Sequence, residues 1–283
     1  MYVILGGTGH VGRAVAQTVL AAGHDVTVVT RQVVAASEQR HAGVDYAAVD
    51  VNDTDTLRVL FQRAQRVFVL NPPAAVSGNT DVEERKTVCS ILKALRGVAL
   101  EKVVVQSTYG AQPGEHCGDL GVLYELEQGA QALNVPVCIV RAAYYISNWA
   151  GATSAAKATG VLQTFLPATQ AFPMVAPEDV GGLAGKLLMS DVEQTGIHNI
   201  EGPESYTPSD VAAALSRILG RAVQVQVIPQ ERWYEAYRGN GFSKEAAQSY
   251  ANMTGLFIHQ HYDRPADPVR GSTSLEACLK RYA

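Results

Sequence analysis

Seven residues near the start of the chain, Gly6-Gly7-Thr8-Gly9-His10-Val11-Gly12, place glycines at two overlapping spacings, Gly7-x-Gly9-x-x-Gly12 and Gly6-x-x-Gly9-x-x-Gly12. The chemistry such a loop can do is to hold a pyrophosphate. Early glycines allow a tight turn, the missing Cβ atoms let the backbone approach the anion, and Gly12 lets a helix pack closely on a strand. N–H groups at the start of that helix then face the negative charge. Three glycines alone are a weak signal. Here an apolar strand, Tyr2 to Leu5, precedes them, an amphipathic segment follows, and a second strand begins within about 25 residues, the spacing of a dinucleotide-binding unit. Gly6, Thr8, Gly9, His10, Val11 and Gly12 are therefore candidate dinucleotide contacts, the alternative being a strand-to-helix turn with no ligand.

The end of the second strand decides which dinucleotide is expected. A carboxylate there chelates the ribose hydroxyls of NAD, whereas an arginine accepts the 2′-phosphate of NADP. The strand ends Val28-Val29-Thr30-Arg31, with no acid. A forked guanidinium suits a phosphate, so NADP(H) is expected ahead of NAD(H), against the alternative of a solvated loop arginine. After the third strand, Asp50-Val51 stands where a side chain reaches the adenine amino group; an ordinary Asx turn is the other reading.

These residues need a framework, and alternating strand and helix periodicity through the first half supplies one. Strands are predicted over Tyr2 to Leu5, Asp25 to Thr30, Val44 to Val49, Arg66 to Asn71, Lys102 to Gln106 and Val137 to Arg141. Helices are predicted over Val11 to Ala22, Thr54 to Gln62, Val82 to Leu95 and about Gly121 to Leu133, with Val33 to His41 a partial helix or loop. The pattern is that of an α/β protein, a doubly wound parallel-sheet Rossmann fold with helices on both faces. Past Arg141 the rhythm shortens. Helices are expected over Pro177 to Met189 and from Pro208 to Leu219, the latter stopped by Gly220. A strand from Val223 to Ile228 precedes an aromatic helical region from Glu231 to about His261. The organisation expected is a nucleotide-binding domain over 1–150, with about 172–200 returning to it, and a smaller C-terminal α/β substrate lobe over 151–283.

Composition narrows the partners. A chain of 283 residues, 47% hydrophobic and 18% charged, buries a substantial core. A net charge of −4 argues against nucleic acid or anionic membrane as partners. No apolar run reaches the roughly 18 to 20 residues of a membrane span, and the opening residues read as a strand, so a cytoplasmic location is expected. Cys89, Cys117, Cys138 and Cys278 are scattered, and neither His116-Cys117 nor His259-Gln260-His261 has a second ligand pair, so no metal site is expected.

Taken together the sequence resembles the NmrA-like group of atypical short-chain dehydrogenases/reductases over nearly its whole length. The motifs carrying this are GGTGHVG, VDVND at 49–53, VFVLNPP at 67–73, VVVQST at 103–108, Glu127 fourteen residues before Arg141, RAAYYISN at 141–148, FPMVAPEDVG at 172–181 and HNIEGPESYTPSDVAAALSRILGR at 198–221. The resemblance implies that Asn71, Pro72, Pro73 and Ser107, with Thr108, flank the nicotinamide ribose and that Tyr144 and Tyr145 lie near the nicotinamide ring. Pro72-Pro73 also reads as a rigid turn, and the tyrosines as core. The family includes NAD(P)H-dependent reductases of quinones, dyes and phenylpropanoid-type compounds, and redox sensors that bind dinucleotide without turnover.

Many short-chain dehydrogenases use Tyr-x-x-x-Lys, the lysine depressing the tyrosine pKa for proton exchange with a carbonyl. This chain has Tyr124-Glu-Leu-Glu-Gln128, without the lysine. Counting back from Arg141 through Glu127, the position that often holds Lys or His falls on Leu123 and the usual tyrosine on Asp119. Tyr124, Tyr144 and Tyr145 are the candidate proton donors. Trp149, Trp233 and Tyr237, with Tyr234 and Phe242, are candidates for an aromatic wall facing a planar, apolar small-molecule substrate; core packing is the alternative. Two functions follow as expectations: an NADPH-dependent reductase of a quinone-like or conjugated electrophile, or a non-catalytic NADP(H)-binding redox sensor. A homodimer is entertained for either.

Overall fold

The computed structural model describes residues 1–31 and 43–282; the expectation for Val33 to His41 lies outside them. Through the first half the elements run β1 (Tyr2–Leu5), α1 (His10–Ala21), β2 (Val26–Thr30), β3 (Val44–Ala48), α2 (Thr54–Phe61), β4 (Arg66–Val69), α3 (Thr80–Leu95), β5 (Lys102–Thr108), α4 (Asp119–Gln131) and β6 (Val137–Ala142). All six predicted strands form with ends within two residues: β2 starts one residue later, β3 and β4 stop one and two residues short, and β5 and β6 run two and one residues further. The continuous apolar runs in β1, β4 and β5 are the mark of strands covered on both faces. One core layer, including Leu57, Phe61, Val88 and Ile91, lies between the sheet and α2–α4. The other, including Val15, Val19, Val180 and Leu187, lies on the opposite face.

The second half adds β7 (Tyr144–Tyr145), α5 (Ala150–Thr159), β8 (Val161–Thr164), β9 (Phe172–Val175), α6 (Pro177–Met189), β10 (Gly196–Glu201), β11 (Ser205–Tyr206), α7 (Pro208–Leu219), β12 (Gln224–Val227), α8 (Trp233–Gly239), α9 (Lys244–Ile258), β13 (Val269–Arg270) and α10 (Leu275–Leu279). The main sheet has eight strands in the order β13-β10-β6-β5-β4-β1-β2-β3, and all its pairings are parallel. Thus the chain returns to the large sheet through α6 and β10, and again through β13, a two-residue edge strand too short to show periodicity. Two small sheets, β11-β9-β7 and β12-β8, and a third core containing Trp149, Phe172, Leu215 and Trp233 build the smaller lobe. Gly220 ends α7 at φ 65°, as the glycine stop requires.

Two arrangements tie helix α6 to the framework, one beside the loop and one at the far end of the sheet. Helix α6 backs directly onto α1 because Gly181 has no side chain: a Cβ there would stand 2.5 Å from the Val11 carbonyl oxygen. Gly181→Val is expected to cost about 1–3 kcal/mol by overpacking this contact, measured as a lower midpoint in chemical unfolding. At the opposite end of the sheet, fully buried Lys102 donates to the Ser190 hydroxyl at 2.7 Å and to the Asp191 carbonyl at 2.6 Å, tying β5 to the end of α6.

Candidate active site

Leu5 ends β1 and the chain turns at once. Gly6 sits at φ 64°, and the Gly9 N–H donates to the Gly6 carbonyl at 2.9 Å, closing the turn. Gly9 caps α1 without a side-chain hydrogen bond, and no acidic residue stands in the first turn. The helix start therefore keeps its positive dipole end for a ligand. A Cβ on Gly12 would lie 2.3 Å from the Gly6 carbonyl oxygen, so only glycine allows this loop to fold back on α1.

The loop opens into a cleft of about 940 Å³ at the carboxyl edge of the sheet. Strand order reverses here between β1 and β4, and ligands of doubly wound sheets sit at such crossovers. Of the residues singled out from sequence, Gly6, Thr8, Gly9, His10, Val11, Gly12, Arg31, Val51, Asn71, Pro72, Pro73 and Tyr145 line this one cleft. Arg31 and Val51 mark the β2–β3 end; Asn71, Pro72, Pro73 and Tyr145 mark the β4 end.

Others lie elsewhere. Asp50 is exposed beside the cleft, and its Oδ1 accepts from the Asn52 backbone N–H at 2.9 Å in an Asx turn. Ser107 is buried and donates to Glu127, whose carboxylate also receives Arg141 Nε at 2.8 Å and Nη2 at 2.6 Å. Its hydroxyl is committed to a structural triad. Tyr124 is half-buried on α4, on the side of Arg141. Tyr144 stacks on Phe257 at 5.3 Å and meets Trp149 edge-on at 6.1 Å. Trp149 is 3% exposed, Trp233 donates its indole N–H to the Ile228 carbonyl at 2.9 Å, and Tyr237 stacks on Phe165 at 4.5 Å. Trp149 and Trp233 belong to the core of the smaller lobe, Tyr144 packs against it, and Tyr237 is held between Phe165 and Thr254 of α9.

Among the cleft residues that carried no binding role in the sequence reading are Glu84, Gln106 and Asp119. Asp119 is the residue at the usual tyrosine position, so register pointed to it without naming a role. Glu84 had one signal, a charge on the helical stripe with Val88, Ile91 and Leu95. It is 3% exposed, and its Oε1 accepts from the Ala74 N–H at 3.0 Å. Its other face meets the Asp119 carboxyl at the start of α4 in hydrogen-bond contact. Burial first, then the charge of Asp119, pushes the Glu84 carboxyl up to about 7; burial raises Asp119 too. Beside them Tyr145 is raised by burial and by Asp119. The Tyr145 hydroxyl and Asn71 Oδ1 are both buried with no hydrogen-bond partner among the described residues.

Among the described residues no group of three or more His, Cys, Asp or Glu is arranged to hold a metal, and no helix is long and apolar enough to cross a membrane.

Known proteins are similar to this chain in sequence or in fold. The NAD(P)H azoreductase of Xenophilus azovorans is 22% identical over 257 residues, 90% of this chain and 87% of its own. A Citrobacter sp. triphenylmethane reductase solved with NADP(H) superposes with a TM-score of 0.82 at 18% identity, covering 100% of this chain and 99% of its own. The NADPH-dependent quinone oxidoreductase QOR2 of Escherichia coli, solved with NADPH, superposes with a TM-score of 0.80 at 15% identity, covering 99% of each chain. The sequence profile of the NmrA-like family matches residues 2–282, and the chain belongs to that family.

Proposed function

We propose that this protein is an NADPH-dependent reductase that delivers hydride to a quinone-like or otherwise conjugated small-molecule electrophile. One observation carries the reading: the cleft runs unbroken from Arg31, past the glycine loop, to Asn71, Gln106 and Tyr145. The residues present fit a dinucleotide. The uncapped start of α1 and the side-chain-free surface of Gly6, Gly9 and Gly12 receive a pyrophosphate, Arg31 receives a 2′-phosphate, and the unpartnered Asn71 Oδ1 accepts a hydrogen bond from the nicotinamide half. Bound NADPH supplies the hydride. Val49, Val51 and Leu70 hold the cofactor's flanks dry, while Leu123, Pro72, Pro73 and Tyr145 offer apolar surface to a flat acceptor. Because Trp149 and Tyr144 pack into the smaller lobe, the nicotinamide end stays open for that acceptor. The relatives named above, by their names, reduce azo, triphenylmethane and quinone compounds, all conjugated acceptors, which supports this class.

Arg31→Ala is expected to lower NADPH affinity about tenfold or more, the worth of a charge-assisted hydrogen bond of about 1.5–3 kcal/mol. NADH affinity should change far less; cofactor titrations followed by tryptophan fluorescence measure both. Equal loss for the two cofactors would remove the 2′-phosphate role. The missing lysine at Gln128 supports a second reading, a dinucleotide sensor without chemistry. Tight NADPH binding with no turnover on any conjugated acceptor would select it.

A further inference from the structure

The carboxyl pair Glu84–Asp119 stands in the cleft, with Asp119 at the position where the family's usual tyrosine would fall. Both residues line the cleft at the end that holds Asn71, Pro72 and Tyr145. They come from different helices, α3 and α4, and are in hydrogen-bond contact. Two ionised carboxylates cannot share such a contact, so one proton resides between them. The groups facing the pair are acidic or phenolic: Asp81 from α3, Tyr145 from β7 and Tyr250 from α9. The nearby Arg85 guanidinium and the His116 imidazole lie against Asp81 at 3.7 and 3.6 Å, and the Asp81 Oδ1 also accepts from Ser249 at 2.7 Å. Beside the pair, the Ala74 N–H favours an ionised Glu84, but burial and the neighbouring Asp119 outweigh it. The Tyr145 hydroxyl, buried on the same wall and without a hydrogen-bond partner among the described residues, is a second polar group of the cleft.

We propose that the Glu84–Asp119 pair is the proton donor of the reductase, in place of the tyrosine whose usual position Asp119 occupies. The inference rests on the reductase reading. A neutral acceptor such as a quinone gains hydride, at the expense of the dihydronicotinamide C4–H bond, and the cofactor leaves oxidised. The oxygen that takes up the new negative charge receives the proton as the carboxyl O–H bond breaks. The pair then carries two negative charges until solvent returns a proton. A cationic triarylmethane dye differs: hydride alone completes its reduction, and no proton is required. The pair is therefore needed for one acceptor class and not for the other.

The sign of the pH dependence follows. Glu84 titrates near pH 7; below that the pair holds its proton and can donate, and above it the donor is lost. For a neutral quinone, kcat is expected to fall as pH rises through about 7, while kcat for a cationic triarylmethane dye lacks that descending limb. Glu84→Gln and Asp119→Asn are expected to lower quinone kcat by about 100-fold, in the range of general acid catalysis, and at least tenfold more than dye kcat. Circular dichroism and NADPH titration establish that each variant folds and binds. Independently of turnover, carbon-13 NMR of the carboxyl-labelled wild type should show a Glu carboxyl titrating near pH 7 that is missing from Glu84→Gln. If no carboxyl titrates above about pH 5.5, or if both acceptors lose rate equally, the donor role is overturned and the reductase reading survives. If the wild type turns over neither acceptor, the reductase reading fails and takes the donor role with it.

Discussion

Gly12→Val is expected to weaken NADPH binding by up to about 100-fold. Any Cβ at this position would stand 2.3 Å from the Gly6 carbonyl oxygen. Neither partner yields cheaply, because Gly6 already sits at φ 64° in the turn closed by the Gly9 N–H. Relief must come from moving the loop away from the start of α1, which misaligns the N–H groups that receive the pyrophosphate. Overpacking strain of about 1–3 kcal/mol falls wholly on the binding surface, and about 2.8 kcal/mol corresponds to 100-fold in affinity. Isothermal titration calorimetry with NADPH measures the loss. Far-ultraviolet circular dichroism should change little, since β1 and α1 remain packed in the sheet. Near-normal affinity in the variant would mean that the loop is not the pyrophosphate cradle.

The largest effect on stability is expected from Glu127→Ala. Its carboxylate is 1% exposed and is shared by the Ser107 hydroxyl and two Arg141 nitrogens, so α4, β5 and β6 meet at one buried group. Truncation leaves the guanidinium of Arg141 facing a cavity with no counter-charge. Breaking a buried ion pair on one side costs about 3–5 kcal/mol. Arg141 keeps 25% side-chain exposure and can draw in some water, which favours the lower end, about 3 kcal/mol. For a chain of this size that lowers Tm by about 6 °C, read by calorimetry. Because Ser107 loses its acceptor at the end of β5, the neighbouring cleft residue Gln106 should also shift, visible as a reduced NADPH affinity in the folded variant.

The elements around the dinucleotide cleft were legible because their signals are local. Uninterrupted apolar runs mark β1, β4 and β5, the glycine spacing marks the first turn, and Arg31 closes β2 without any long-range information. Gly220 and Pro177 punctuate helices in the same local way. What escaped depends on tertiary contact. Trp233 and Tyr237 have the composition of a binding wall, yet only the packing of α8 on α9 and Phe165 decides that they are core. Ser107 stands at the right strand end, but Glu127, twenty residues away, claims its hydroxyl. Glu84 is invisible as a motif, since a lone glutamate in an amphipathic helix is ordinarily solvated; its meaning arises when α4 brings Asp119 against it. The two-residue strand β13 gains its place from the edge of β10 rather than from its own pattern.

The central claim is hydride transfer from NADPH to a conjugated acceptor in the cleft that begins at the glycine loop. The most direct test is the loss of NADPH absorbance at steady state with purified protein and a panel of quinones, azo dyes and cationic triarylmethane dyes, with NADH in parallel. The account predicts sustained turnover with at least one acceptor, faster with NADPH than with NADH, and much slower in Gly12→Val at limiting NADPH. Tight NADPH binding with no turnover across the panel would contradict it and leave the chain a dinucleotide-binding sensor.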